Sequence, residues 1–152
     1  MILSTKGRYG LRAMVDLAVH SEDGPVSIHS IAGRQNIAER YLEQLIGKLK
    51  KAGLVRSVRG ASGGYLLAKK PEEISVGEVL LVLEGDLKPI DCAGLDEENV
   101  SCEVSGSCVT KYVWQKIYRS IEDTVNHIYL DELVALSRAL NDGFSVSEGT
   151  VV

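Results

Sequence analysis

Apolar residues in the first third of the chain recur at three- and four-residue steps, which is the spacing of one face of an α-helix. Between Ser4 and His20 this face consists of Leu11, Met14, Val15, Ala18 and Val19. Ser27 can cap a short second helix, and a longer helical pattern runs from about Ala38 to Ala52. Residues 35–37 break the pattern between these two helices, so we predict a pair of helices joined by a tight turn.

Two short β-prone stretches follow the helix pair, Leu54–Val58 and Tyr65–Ala68. The six residues between them, 59–64, include three glycines, which favour the tip of a hairpin. A helix, a turn, a second helix and a hairpin together predict a winged helix-turn-helix. Pro71 ends this pattern, so we expect a first domain over residues 1–71.

The second half of the chain is predicted to be helical around a long loop. Ser75 and Glu78 have the spacing of a capping box and predict a helix to Leu83. Residues 84–107 lack a helical period, and a long helix with a wide apolar stripe follows from Cys108 to His127. A last helix over Leu130–Leu140 completes residues 72–140, and we expect 141–152 to be a disordered tail. The predicted fold is therefore mainly helical, with a small β-hairpin wing and a long C-terminal helix.

The charge is divided between the two halves of the chain. Residues 1–70 carry 12 Lys and Arg against 5 Asp and Glu, a net of +7, whereas the rest has a net of -11. This split indicates that the N-terminal half meets a polyanion, although two solubilising faces of one domain would give the same numbers. The longest apolar run, Val79–Leu83, is far too short for a membrane span, and no signal peptide is visible. We therefore expect a cytoplasmic protein without a membrane partner.

The second helix of the predicted pair has residues that suit DNA on its solvent side. We call residues 27–67, which contain the helix pair and the hairpin, the DNA reader. Such a helix fits the major groove, where Arg40 could bond guanine and Gln44 could bond adenine. Lys48 continues this side and suits phosphates. Arg56 and Arg59 flank the glycine-rich tip, and a slim cationic hairpin suits the minor groove. Solvated charges on an ordinary helical hairpin are the alternative interpretation.

Three cysteines lie close together in the second half, with nine residues between Cys92 and Cys102 and five between Cys102 and Cys108. An odd, clustered set in an unsecreted chain favours metal ligands or reactive thiols over disulfides. Thiolates bind zinc or iron–sulfur clusters, but the spacing lacks the CxxC pairs of a zinc ribbon. Three free, reduced cysteines are the alternative.

Four segments carry a resemblance to a known family: Ser4–Gly10, Tyr41–Leu45, Gly53–Val55 and Val58–Tyr65. Together they resemble the IscR/NsrR/CymR family of bacterial winged-helix regulators, from Met1 to about Leu136. The resemblance implies a homodimer, held by the long C-terminal helix, that binds pseudo-palindromic promoter DNA. It places Glu43 where an acid tunes the class of DNA site in IscR-type members. The full set of expected DNA contacts is Ser4, Lys6, Tyr9, Ser27, Arg40, Tyr41, Glu43, Gln44, Lys48, Arg56, Arg59 and Gly60.

The resemblance also implies an iron–sulfur cluster on Cys92, Cys102 and Cys108, and it favours [2Fe–2S] with [4Fe–4S] as the other option. Two features depart from the family pattern. The gap before Cys102 is lengthened by an acidic insertion around 96–98, which a loop can accommodate. Lys111 stands where IscR-type members have His, and Arg8 stands where NsrR-type members have Asp. The fourth ligand is therefore open; the candidates are Glu103, Asp91, a hydroxide and a small thiol.

These observations predict a homodimeric transcription regulator that senses iron–sulfur status, oxidants or nitric oxide through the cysteine loop. A cluster-free repressor of cysteine metabolism controlled by a protein partner is one alternative. An iron–sulfur redox or carrier protein is another, although a carrier has no need for a cationic reader. The sequence contains no Ser–His–Asp set, Walker loop or dinucleotide fingerprint, so we expect neither an enzyme nor a small-molecule substrate.

Overall fold

The computed structural model describes residues 3–90 and 107–147 of the chain. They form helices and one two-stranded antiparallel sheet. In chain order the elements are α1 Thr5–His20, α2 Ile28–Gln35, α3 Glu39–Lys51, β1 Val55–Val58, β2 Gly64–Leu67, α4 Val76–Glu84, α5 Thr110–Asn126 and α6 Leu130–Ser147. The mainly helical fold with a hairpin wing and a long C-terminal helix is therefore confirmed.

The ends of the first helices follow from local chemistry. The Ser4 hydroxyl caps α1 by accepting the N–H of Lys6 at 3.1 Å, and the Ser27 hydroxyl caps α2 by accepting the N–H of Ser30 at 3.1 Å. Helix α2 ends because Asn36 adopts a left-handed conformation with φ 53°. Asparagine tolerates this region better than most residues, so the chain turns here into α3.

One hydrophobic core unites the first three helices with α4 and the start of α6. Its fully buried side chains include Met14, Leu17, Ile31, Leu42, Leu45, Val79 and Leu130. The buried face of α1 is rotated from the predicted one toward Ala13 and Leu17, whereas Leu11 and Val15 are only half-buried. Leu11 and Val15 pack at the edge of the core instead, because their side of α1 faces α6. The predicted domain division at residue 71 stays a prediction.

The hairpin is anchored to the helix pair through its second strand. Val55 pairs with Leu67 and Val58 pairs with Gly64. Val26, just before α2, donates its N–H to the Tyr65 carbonyl at 2.9 Å and accepts the Tyr65 N–H at 2.8 Å. The strands are one residue shorter at their outer ends than predicted, and an N–H donated by Ala68 to the Leu54 carbonyl closes the hairpin there.

Helix α4 connects the core to the long helix α5. The predicted capping box is confirmed, because Ser75 accepts the N–H of Glu78 at 3.1 Å and donates its own N–H to the Glu78 carboxylate at 3.0 Å. A second apolar cluster joins α4 to α5 through Val76 and Leu80, against the half-buried Tyr118 and Ile121. A bridge between Ser75 and Tyr129 then fixes the connection between α5 and α6 to the start of α4.

Three boundaries in the second half differ from the prediction. Glu84 belongs to α4 rather than to the loop, and α5 begins at Thr110 rather than at Cys108. Helix α6 continues to Ser147, so the disordered tail expected from Asn141 is wrong for 141–147. The helix continues through Gly143, because one glycine costs a helix only about 1 kcal/mol and no proline lies in residues 144–147. Residues 91–106 and 148–152 lie outside the described part.

No helix within the described ranges combines the length and the apolar character that crossing a membrane requires.

Candidate nucleic-acid interface

Helix α3 exposes the face on which the sequence placed its base-reading residues. The helix buries Leu42, Leu45, Ile46 and Leu49 in the core. Burial of that stripe turns the opposite side outward, and Arg40, Glu43, Gln44 and Lys48 are all exposed there. These positions recur at three- and four-residue steps, so they share one face of the helix. The structure therefore brings four predicted contacts together, and their role as DNA contacts stays a prediction.

A contact between α2 and the start of α3 was not found from the sequence. The carboxylate of Glu39 contacts Nδ1 of His29, which lies on α2. Both side chains are exposed, so this contact adds little to the stability of the fold. Nothing in the sequence spacing pairs His29 with Glu39, because the two residues lie on different predicted helices.

The start of α1 lies against α3 through two tyrosines. The half-buried Tyr41 places its hydroxyl 3.0 Å from the Thr5 hydroxyl. Its ring meets the ring of Tyr9 edge to face, with 6.1 Å between the centroids. Tyr9 and Tyr41, both predicted DNA contacts, thus also pack α1 on α3. Lys6 is exposed beside them, whereas the Ser4 hydroxyl already donates to Glu84 and accepts from Lys6.

A buried carboxylate fixes the end of α2 to α1. The side chain of Asp16 is 1% exposed and accepts from Arg34 Nε at 2.9 Å and Arg34 Nη2 at 2.7 Å. Gln35 Nε2 donates to the same carboxylate at 2.9 Å. The hydrogen bond to Asp16 raises the pKa of the Arg34 guanidinium above its ordinary value. Sequence reasoning missed this cluster; its one signal was an acidic residue in the middle of an otherwise apolar helix.

The hairpin presents arginines around a tip that only glycine can form. Arg56 and Arg59 are exposed, and Gly60 follows with φ 115°, a conformation that favours glycine. A Cβ on Gly63 would lie 2.2 Å from the main-chain oxygen of Val58. The tip is therefore slim, with its cations pointing to solvent. This is the shape that was expected of a minor-groove contact.

Cys108 is the one predicted cluster ligand inside the described ranges, because Cys92 and Cys102 lie outside them. Its sulfur is partly exposed just before α5 and lies 3.0 Å from the Thr110 hydroxyl. The hydrogen bond with the Thr110 side chain, helped by the N–H groups of Lys111 and Thr110, lowers the pKa of this thiol. Within residues 3–90 and 107–147 no three His, Cys, Asp or Glu side chains are grouped as a metal site. Three cysteines, Cys92, Cys102 and Cys108, supply the thiolate chemistry that an iron–sulfur cluster requires.

Helix α5 carries an apolar face that the described part of the chain does not cover. Tyr112, Val113 and Ile117 are 66%, 45% and 41% exposed. They line a groove of about 540 Å³ that continues along the helix to Thr124 and Val125. An uncovered apolar helix face is the kind of surface that a partner can bind.

A family model and characterised relatives match nearly the whole chain. Residues 3–136 match the Rrf2 family, described as iron-dependent transcriptional regulators. The HTH-type transcriptional regulator IscR of Pectobacterium atrosepticum is 44% identical over 141 residues, covering 93% of this chain and 84% of that protein. Protein rrf2 of Nitratidesulfovibrio vulgaris is 42% identical over 134 residues, covering 88% of this chain and 87% of that protein.

Solved structures agree with these matches. T. potens IscR superimposes with a TM-score of 0.71 at 48% identity, over 91% of this chain and 88% of that one. CymR, the global cysteine regulator of B. subtilis, superimposes with a TM-score of 0.73 at 38% identity, over 90% of this chain and 98% of that one. The helix pair α2 and α3 with its hairpin is thus the winged helix-turn-helix arrangement of the IscR and CymR structures. The chain belongs to the Rrf2 family and is an IscR-like, DNA-binding transcriptional regulator.

Proposed function

We propose that this regulator is a homodimer that reads pseudo-palindromic promoter DNA and responds to iron–sulfur status, oxidants or nitric oxide through Cys92, Cys102 and Cys108. The observation that carries the proposal is the position of α4. Its last residue, Glu84, contacts the start of α1 and lies eight residues before Cys92, the first of the cysteines. Because its DNA target lies in the bacterial cytoplasm, we propose the same location for the protein.

In the proposed complex the exposed face of α3 enters the major groove. Arg40 and Gln44 are free to reach base edges, since both are exposed and lie one turn apart. Lys48 continues toward the phosphates, and Glu43 accepts from a cytosine amine while its charge disfavours close phosphates. The hairpin places Arg59 and the Gly60 tip in the minor groove, with Arg56 behind them.

The remaining proposed contacts lie on α1 and at the start of α2. Lys6 is the exposed cation of this group. Hydrogen bonds or ring contacts within the protein already occupy the side chains of Ser4, Tyr9, Ser27 and Tyr41. We propose that these contacts hold α1 and α2 in place, so that the main-chain N–H groups and cations of these helices face the DNA backbone. A contact of this kind orients the reader and carries no sequence information by itself.

The exposed apolar face of α5 supports the homodimer. A second copy of the same helix would cover Tyr112, Val113 and Ile117 in both subunits at once, as a twofold interface requires. Two readers related by a twofold axis then face two half-sites of a pseudo-palindrome. The relative position of the two readers depends on how α5 is fixed to each core, which α4 determines.

Cys92, Cys102 and Cys108 would hold the cluster as thiolates, with the fourth ligand unassigned. A bound cluster supplies a group that reacts with oxidants and nitric oxide. Cys108 adjoins the first turn of α5, and the cysteine segment begins beyond the end of α4. The cysteine segment therefore connects α4, which packs on the DNA-binding helices, to α5, which carries the proposed dimer interface. A change in its conformation alters DNA affinity only if the DNA-competent and DNA-incompetent arrangements hold the cysteines differently.

Counting iron and acid-labile sulfide after anaerobic purification tests the cluster. We expect a coloured protein with iron and sulfide in equal amounts, as iron–sulfur clusters of either type contain. Cys102→Ser should lose the colour and the iron, whereas Lys111→Ala should retain both, because a protonated amine is a poor ligand. Wild-type protein that stays colourless and iron-free after anaerobic reconstitution would contradict the proposal. Loss of iron in Lys111→Ala would identify Lys111 as a ligand.

A cluster-free regulator of cysteine metabolism, controlled by a protein partner, is the second candidate. The similarity to CymR of B. subtilis favours it, since the two folds agree over 90% of this chain. The same experiment separates the candidates. A colourless, iron-free protein that nevertheless binds promoter DNA supports the cluster-free regulator.

A further inference from the structure

We propose that Arg12 is a positioning residue for DNA binding. From α1 it contacts the turn between α2 and α3 and thereby fixes the orientation of α3 relative to α1. This rests on the proposed reading of DNA by α3. Arg12 was absent from the expected DNA contacts, and its side chain is exposed. Two of its guanidinium nitrogens nevertheless donate to Gln35 of the helix-turn-helix.

The guanidinium of Arg12 contacts the last residue of α2 twice. Nη2 donates to the main-chain oxygen of Gln35, and Nε donates to Gln35 Oε1 at 3.3 Å. Carbonyls in the last turn of a helix have no partner inside the helix, and this end also carries the negative end of the helix dipole. A cation that donates to such a carbonyl provides the missing hydrogen bond and also interacts favourably with the negative end of the dipole. Arg12 therefore acts as a C-terminal cap on α2.

Gln35 is held from a second side by the buried carboxylate of Asp16. Its Nε2 donates to Asp16 Oδ2 at 2.9 Å while its Oε1 accepts from Arg12. The side-chain amide thus has a fixed orientation between two residues of α1. Asn36 follows at once with its left-handed backbone, and α3 begins at Glu39. Only residues 36–38 separate Gln35 from α3, so the position of Gln35 determines where α3 begins.

Arg12 also supports α3 through an aromatic contact. Its guanidinium carbon lies 5.5 Å from the centroid of the Tyr9 ring, whose edge-to-face partner is Tyr41 of α3. A planar guanidinium can stack on a ring and donate from its fork at the same time. Lysine has the same charge but neither the plane nor the fork. One side chain of α1 thus contacts the end of α2 directly and the first turn of α3 through Tyr9.

The competing explanation for an exposed arginine in a DNA-binding protein is a direct phosphate contact. Arg12→Lys separates the two roles, because lysine keeps a phosphate contact but loses the forked hydrogen bonds and the stacking. Arg12→Ala removes both. Arg8→Lys is the matched control, since Arg8 is an exposed arginine one turn earlier on the same helix.

The probe is a DNA duplex that the wild-type protein enriches from a random-sequence pool. A scrambled duplex of the same base composition is the control for binding that does not depend on sequence. All proteins are compared in the same state of iron loading. Fluorescence anisotropy over a series of salt concentrations gives the affinity and the salt slope, and circular dichroism gives the unfolding midpoint. We expect Arg12→Lys and Arg12→Ala to lose roughly tenfold in affinity for the enriched duplex, the effect of losing about one charge-assisted contact. The scrambled duplex, the salt slope and Arg8→Lys should be unchanged.

Wild-type affinity in Arg12→Lys, combined with a salt slope lowered by about one phosphate contact in Arg12→Ala, would overturn the proposal in favour of a direct contact. A fall in the unfolding midpoint large enough to unfold Arg12→Lys at the assay temperature would also overturn it, because the residue would then serve folding in general. If the wild-type protein enriches no duplex at all, the DNA-reading function itself is contradicted, and the role of Arg12 with it.

Discussion

One carboxylate oxygen of Glu84 accepts two hydrogen bonds from Ser4, from the main-chain N–H at 3.0 Å and from the hydroxyl at 2.7 Å. The same oxygen accepts the N–H of Gly7 at 2.9 Å. The first N–H groups of a helix have no partner inside it, and a negative charge there interacts favourably with the helix dipole. Glu84, the last residue of α4, therefore stabilises the start of α1 from outside.

Glu84→Ala should lower the free energy of unfolding by about 1 to 2 kcal/mol, because it removes an acceptor shared by several helix-start donors. Glu84→Gln should cost less, since an amide oxygen can still accept while the charge is lost. Urea unfolding followed by circular dichroism measures both. Glu72→Ala, which removes an exposed carboxylate elsewhere, should be close to neutral. Equal stability of Glu84→Ala and wild type would show that the contact contributes nothing.

Arg59→Ala should weaken promoter binding by about 1 to 3 kcal/mol, because it removes the cation beside the hairpin tip. The fold should be unaffected, since Arg59 is exposed. Anisotropy titration of the enriched duplex at physiological salt measures the change. Arg119→Ala is the matched control, as it removes an exposed arginine on α5. Unchanged binding by Arg59→Ala would refute the role of the wing.

Ile117→Glu should convert the proposed dimer to a monomer, because it places a charge in the middle of the uncovered apolar face of α5. Arg119→Glu, which changes an exposed residue on another side of the same helix, should remain a dimer. Sedimentation velocity at micromolar concentration distinguishes the two states. A wild-type protein that sediments as a monomer, or an Ile117→Glu variant that remains a dimer, would contradict the proposed interface.

The helix-turn-helix and its hairpin were predictable because their signals are local. Ser27 and Ser75 cap helices through hydrogen bonds within three residues, and α3 buries the stripe that its period indicated. The exposed positions of Arg40 and Gln44 follow from that same period. The hairpin tip was equally predictable from its glycines, because Gly60 has a positive φ and Gly63 leaves no room for a Cβ.

The contacts that position the reader could not be predicted, because their partners are distant in sequence. Asp16 meets Arg34 and Gln35 only once α1 packs on α2, and Glu84 meets Ser4 across most of the described N-terminal part. Periodicity shows which face of a helix is buried, yet it does not name the polar atoms that meet at its edges. The extension of α6 to Ser147 was missed for a different reason, because the mostly polar residues and the glycine after Leu140 are typical of a chain end without structure.

The most direct test of the central claim is the affinity for the enriched duplex, measured anaerobically with iron-loaded and iron-free protein in the same buffer. If the cysteine segment controls the reader, the two affinities should differ by at least about tenfold, a coupling of about 1.4 kcal/mol. Cys102→Ser should keep the iron-free value whether or not iron and sulfide are supplied. Equal affinities of iron-loaded and iron-free wild-type protein would contradict the claim that this regulator is switched through its cysteines.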